Sequence, residues 1–317
     1  MKKSRWSSLL IASAAVAIHA SANAGVDPLT QVKPVDQEWG INGAPDYIVE
    51  VPAATIPATG VLDYINTNID LPFEEDKWVK SVQFIPGDKR VLHHLLSYVV
   101  ASDNTEVFDE ADNSDRSEFL EGYAPGKEDP TTYPDNTGVK IPAGSALRMS
   151  IHYTSMGQET VDNTRVGLWF ADDNAIPEYE YRTYSVSAAG DRENNIIVPP
   201  GDMNYEMASN HVFEEDITLY GFRAHMHYRG KSMRASVIYP DMTREEIINV
   251  PNYNFAWQPT YRLSEPMTLP AGSRVVVEGA FDNSQYNPGN PDPSVPALGG
   301  LQSWEEMFIG YFSYTEQ

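Results

Sequence analysis

Apolar and polar residues alternate with a period of two over short stretches of this chain, and proline or glycine interrupts each stretch. The runs Val79-Lys80-Ser81-Val82-Gln83-Phe84, Ala146 to His152, Arg165 to Phe170 and Arg274 to Gly279 read as β-strands. Turn signals precede several of them: Ile141-Pro142-Ala143-Gly144, Val198-Pro199-Pro200-Gly201 and Leu269-Pro270-Ala271-Gly272. No segment sustains a 3.6-residue period over ten or more residues, so helices should be few. The expected fold class is all-β, built as two tandem antiparallel β-sandwich domains of jelly-roll type. A polar stretch from Asp172 to Glu180, holding Pro177, is the expected boundary. It gives an N-terminal domain over 61–178 and a C-terminal domain over 179–317, with residues 25–60 as an N-terminal extension. Segments 101–118 and 282–300 read as long loops, the first acidic and the second rich in Asn, Pro and Gly.

The first 24 residues stand apart from this pattern. Lys2, Lys3 and Arg5 precede an apolar stretch from Leu9 to Ile18, and Ala22-Asn23-Ala24 fits a small-x-small cleavage site. That is the signature of a secretory signal, so a periplasmic or secreted protein without membrane insertion is expected. No later run approaches the roughly 20 apolar residues of a membrane helix.

Composition adds three constraints. With 41% hydrophobic and 11% aromatic residues the chain can bury a core. It has no cysteine, so disulfides are excluded, and so are thiolate metal ligands. Its formal charge of -23 moves to about -26 when the three leader cations are removed, which argues against nucleic acid or anionic lipid as partners.

The candidate chemistry lies in the histidines. There are seven, and His19 belongs to the leader. Five of the remaining six fall in three clusters: His93-His94, His152, and His225-Met226-His227. On a strand, residues two apart share a face, so His225 and His227 can chelate one ion. His152 shares a strand face with Arg148 and Ser150, opposite Leu147, Met149 and Ile151. Neighbours such as His93 and His94 point apart on a regular strand. They reach one metal only where the strand twists or bulges, or through different ring nitrogens. His211 is assigned no role, and Met307 taken alone reads as packing between sheets.

At this point four blocks in order resemble the type II, ascorbate-dependent copper monooxygenases, the family of peptidylglycine α-hydroxylating and dopamine β-hydroxylating enzymes. They are Lys77-Trp78-Val79 through His93-His94-Leu95, Gly122-Tyr123-Ala124-Pro125-Gly126 to Ile151-His152-Tyr153, Arg223 to Gly230, and Phe281-Asp282-Asn283-Ser284 to Trp304-Glu305-Glu306-Met307. The resemblance runs from about Val61 to Tyr311. It implies an electron-transfer copper on His93, His94 and His152, and an oxygen-binding, catalytic copper on His225, His227 and Met307. The two would face a cleft between the domains. Imidazole suits both copper oxidation states and a thioether favours Cu(I), so the second donor set is chemically coherent.

The implied reaction is RH + O2 + 2 electrons + 2 protons giving ROH and water, with ascorbate or a similar small reductant, two coppers per chain, and a small organic or peptide substrate. Arg223 and Tyr311 match positions that grip the substrate carboxylate in peptide-hydroxylating members, but Ile309 stands where those have Asn. Two departures bear on the scaffold. Disulfides typical of eukaryotic members are missing, and the chain ends soon after Tyr311, leaving no room for a lyase domain. The same ligands would also serve a non-catalytic copper-binding or carrier protein, although such proteins carry denser Met and His runs than this one.

Overall fold

A computed structural model describes residues 39–40, 43–102, 117–124, 127, 129–172, 174–188 and 196–317. The leader reading and most of the acidic 101–118 segment lie outside these residues. Among the described residues there are strands and no helix, and no helix is long and apolar enough to cross a membrane. All four strands expected from the period-two runs are present, as Lys77–Ile85, Ser145–Tyr153, Arg165–Phe170 and Arg274–Phe281.

The strands build four main sheets around two main hydrophobic cores, with a smaller cluster of Leu96, Tyr98, Val100 and Ala146 beside them. One core lies between a six-stranded sheet and a four-stranded sheet. The first of these is centred on Arg165–Phe170, Lys77–Ile85 and Thr137–Ile141; the second has the order Ile65–Asp70, Ser145–Tyr153, Leu92–Ala101, Ser117–Tyr123. Val79, Val82, Val166 and Leu168 from one meet Leu92, Leu95, Leu147 and Met149 from the other, all nearly inaccessible to solvent. Residues 47–56, read from sequence as part of an extension, form strands here. Tyr47–Glu50 pairs with Arg165–Phe170, and Ala54–Ile56 pairs with Thr160–Asp162.

The second core lies between two four-stranded sheets. Their orders are Arg182–Ser187, Phe308–Glu316, Ile217–Met226, Tyr261–Leu269 and Tyr205–Val212, Arg274–Phe281, Gly230–Ile238, Arg244–Val250. Phe222, Phe308 and Phe312 pack there against Val237, Val275, Val277 and Phe281. His211 stacks on Tyr184 with ring centroids 3.8 Å apart and meets Phe213 edge-on. That is an aromatic packing role.

Two β-bulges decide what the functional strands present. In Ile217–Met226 the residues facing the core are Ile217 and Leu219, then Phe222, Ala224 and Met226. The change of parity falls at a register shift between Leu219 and Gly221, seen against both neighbouring strands. Past it, Arg223 and His225 occupy the face away from the core. In Leu92–Ala101 a second shift lies between Leu92 and His94.

Candidate metal centres

The bulge at Leu92 to His94 answers the steric problem of adjacent histidines. His94 pairs directly across from His152, and directly opposed residues of an antiparallel pair share a face. His93, at the irregularity, swings its ring to the same side. The Nδ1 atoms of His93 and His94 are 3.0 Å apart, and the three histidines offer ring nitrogens all within 4.8 Å of one another. Two donors at about 2.0–2.1 Å from one first-row ion stand roughly 3 Å apart, so the spacing suits a shared metal. The Nδ1 of His152 is buried and makes no hydrogen bond. Tyr64 stacks on the His152 ring, centroids 4.6 Å apart and nearly parallel, and its hydroxyl donates to the Leu301 carbonyl at 3.1 Å.

The second group lies on the Ile217–Met226 strand and its neighbour Phe308–Glu316. Their register pairs Arg223 with Tyr311 and His225 with Ile309. Arg223 and His225 therefore share a face with Tyr311 and Ile309. His227 and Met307 are the next residues beyond the last pair, Met226 and Phe308.

Hydrogen bonds fix both imidazoles. His225 Nδ1–H donates to Gln258 Oε1 at 2.7 Å and His227 Nδ1–H donates to the Glu305 carbonyl at 3.2 Å. Each acceptor lacks a proton of its own, so both rings carry hydrogen on Nδ1 and present bare Nε2. The Nε2 of His225 is buried without a partner, an orphan that a metal would satisfy.

Next to Met307 in the chain, Glu306 joins a buried polar knot. The Glu306 carboxylate accepts the backbone N–H of His227 at 3.1 Å and of Arg229 at 2.8 Å. Arg229 in turn donates to Asn283 Oδ1 and to the Trp304 carbonyl. The loop that carries Met307 is thereby tied to the turn that carries His227. Burial pushes the Glu306 carboxyl up to about 8, against the pull of those two amides and the Arg229 guanidinium.

The two groups face each other across a single ring. Phe255 stacks on His93 with centroids 5.0 Å apart and meets His227 edge-on at 6.0 Å. His93, His94, His225, Arg223 and Tyr311 line one chamber of about 40 Å³. Burial lowers all five imidazoles. His93 falls to about 4, helped by His152 and His225; His225 falls to about 4, with the Gln258 hydrogen bond opposing and Arg223 assisting. His94 and His227 lie well below the ordinary value and His152 is lowered, burial leading in each. All five are neutral at pH 7, the state a metal requires.

Arg223 sits between aromatic rings, its guanidinium carbon 4.4 Å from the Tyr311 centroid and 5.3 Å from that of Phe119. Gly122 lies close by. A Cβ there would stand 2.6 Å from Cδ2 of Leu96, its partner on the neighbouring strand, and at ordinary contact distance, 3.7 Å, from Arg223 Nη1. The sequence had not singled out Gln258, Phe255, Tyr64 or Glu306. Each is far along the chain from the residue it serves, except Glu306, whose place beside Met307 was the one available signal.

Fold and donor sets define an all-β protein with two facing histidine centres. Residues 188–317 match the model of the copper type II ascorbate-dependent monooxygenase C-terminal domain. The human protein named "Putative DBH-like monooxygenase protein 2" is 23% identical over 286 residues, covering 80% of this chain and 53% of the relative. Over residues 188–317 the chain is thus similar to the type II copper monooxygenases, and it spans about half the length of that curated relative. Among solved structures, one of PNGF-II has a TM-score of 0.35 at 8% identity over 86% of this chain and 65% of that one. One of broad bean stain virus has a TM-score of 0.39 at 8% identity over 91% and 94%. At those scores the likeness carries no argument.

Proposed function

We propose that this chain is an exported dicopper monooxygenase that hydroxylates a C–H bond of a small organic or peptide substrate, using O2 and a reductant such as ascorbate. His93, His94 and His152 would hold the electron-transfer copper; His225, His227 and Met307 would hold the oxygen-binding copper. The carrying observation is the two histidine groups, with metal-ready nitrogens, that reach one chamber through His93, His94 and His225. Copper held there supplies redox chemistry and activation of dioxygen.

The chain's own residues do the rest. Gln258 and the Glu305 carbonyl hold the His225 and His227 tautomers, and Glu306 fixes the spacing between His227 and the Met307 loop. Phe255 and Leu96, which line the chamber, exclude water from it, which protects reactive chemistry from side reactions. Arg223 and Tyr311 stand on the His225 face, one strand repeat away, where they can orient a substrate.

The test begins with reconstitution. Wild type should bind two coppers, His152→Ala and His225→Ala one each, and the copper-loaded wild type should consume oxygen in step with product and ascorbate oxidation. Two bound coppers without turnover over a broad substrate screen would favour a copper carrier. No bound copper would exclude both readings.

A further inference from the structure

Beyond Arg223 the same sheet face continues into a second, larger cavity. Gly221 pairs with Ser313 on one side and Arg262 on the other, so Arg262 shares the face of Arg223 and Tyr311. Phe119 and Glu121 come from the strand Ser117–Tyr123, and Lys127 from the segment that follows it. Its volume is about 520 Å³, within the range of small-molecule sites. It meets the histidine chamber at Arg223, Gln258 and Tyr311, which line both.

The charge of this cavity runs against that of the chain. Lys127 pairs with the buried Glu121 carboxylate, which also accepts the Gly122 N–H at 2.9 Å. Arg223 is held by aromatic faces, and Arg262 stands exposed. Among the described residues neither guanidinium makes an ion pair or a hydrogen bond. Counting Glu121 and the rim residue Asp129, the lining keeps one net positive charge in a chain of -23. The field inside agrees. Burial lowers the Lys127 ammonium, with Arg223 and Arg262 assisting against Glu121. Burial alone would raise the Glu121 carboxyl, but Lys127 and Arg223 hold it below its ordinary value. Trp257, 54% exposed, lies along the wall as an apolar surface open to a ligand.

We propose that this cavity binds an elongated organic anion, its carboxylate or equivalent group at Arg262 and Lys127 and its apolar body along Trp257, Phe119 and Tyr311 toward His225. The Arg262 row lies two strand repeats from the His225 row, about 13 Å. A molecule bridging the two is therefore longer than a single amino acid. As an account of substrate this rests on the monooxygenase reading; as a binding site it does not. Ascorbate is also an organic anion, so the same charges could serve the reductant.

Calorimetric titration of the full chain, copper-free and copper-loaded, separates these cases. The probes are 6-phenylhexanoate, its neutral amide and ascorbate. The carboxylate should bind wild type about tenfold or more tightly than the amide, and Arg262→Gln should remove most of that difference while leaving amide binding alone. Equal binding of carboxylate and amide, no carboxylate binding at millimolar concentration, or an unchanged affinity in Arg262→Gln would overturn the proposal. Arg262 is exposed, so its replacement leaves the core intact. Displacement of the carboxylate by ascorbate would assign the anion to the reductant, and its persistence to the substrate. Copper content measured on the reconstituted samples keeps the readings apart: a chain that binds the anion but takes up no copper on reconstitution would refute the monooxygenase and spare the cavity.

Discussion

Gln258 shows how much of a metal site can rest on one amide. Its Oε1 accepts the His225 Nδ1 proton at 2.7 Å while its own Nε2 donates to the Phe255 carbonyl at 2.8 Å, so the amide cannot flip without losing both bonds. Gln258→Leu keeps the volume and frees the tautomer. Copper affinity at that centre should fall about 10- to 100-fold, read by competition with a chelator, while the His93, His94 and His152 centre keeps its own. An unchanged affinity would show that His225 needs no orienting partner. At this scale the sequence was informative only where spacing is short. The His225-x-His227 pair follows from strand periodicity, and Arg223 lies one step further on the same face. Gln258 is 33 positions from His225, with nothing local to mark it.

Strands were legible as elements because alternation survives in the interior of each run, but the bulges were not. A shift of one residue leaves composition unchanged and inverts which side chains meet the core. The adjacent histidines at 93 and 94 hinted at an irregularity without placing it. The Ile217–Met226 strand is held to the core by Phe222, fully buried with its ring 5.1 Å from that of Phe312. Phe222→Ala should cost about 3–5 kcal/mol of stability, measured by urea unfolding of the copper-free protein. Copper should recover part of that loss through its affinity for the folded state. A loss under about 1 kcal/mol would mean that the site strand is not anchored through this ring.

Across the whole molecule, five buried neutral histidines make stability a function of pH. Their unfolded value is 6.5, and His93 and His225 fall to about 4 in the fold. Between those values the unfolded chain binds more protons, so the stabilisation present above pH 6.5 is lost progressively as pH falls toward 4. Glu118 acts in the opposite direction. Burial raises it to about 8, with Glu180 assisting against Arg182. Its contribution is complete below about 4.5 and declines as pH rises to about 8. Glu306, raised to about 8 by its own burial, adds to this decline. Urea midpoints of the copper-free chain should therefore fall on both sides of pH 6.5, toward 4 through the histidines and toward 8 through the two carboxyls. A flat acid limb would contradict the burial of the histidines.

The Leu219 to Gly221 bulge can also be seen as a phase slip in a wave. Upstream of it the strand keeps its odd-numbered residues in the core; downstream it keeps the even-numbered ones. Tyr220 is the added step, since Leu219 pairs with Tyr314 and Gly221 with Ser313. Deleting Tyr220 would remove the slip and leave one unbroken alternation, with Ile217, Leu219, Phe222, Ala224 and Met226 still in the core and Arg223, His225 and His227 still on the other face. Copper content should survive that deletion. Deleting Ala224 instead puts His225 and His227 out of phase with Phe222, turning them toward the core, and should be as damaging to copper binding as the loss of a histidine.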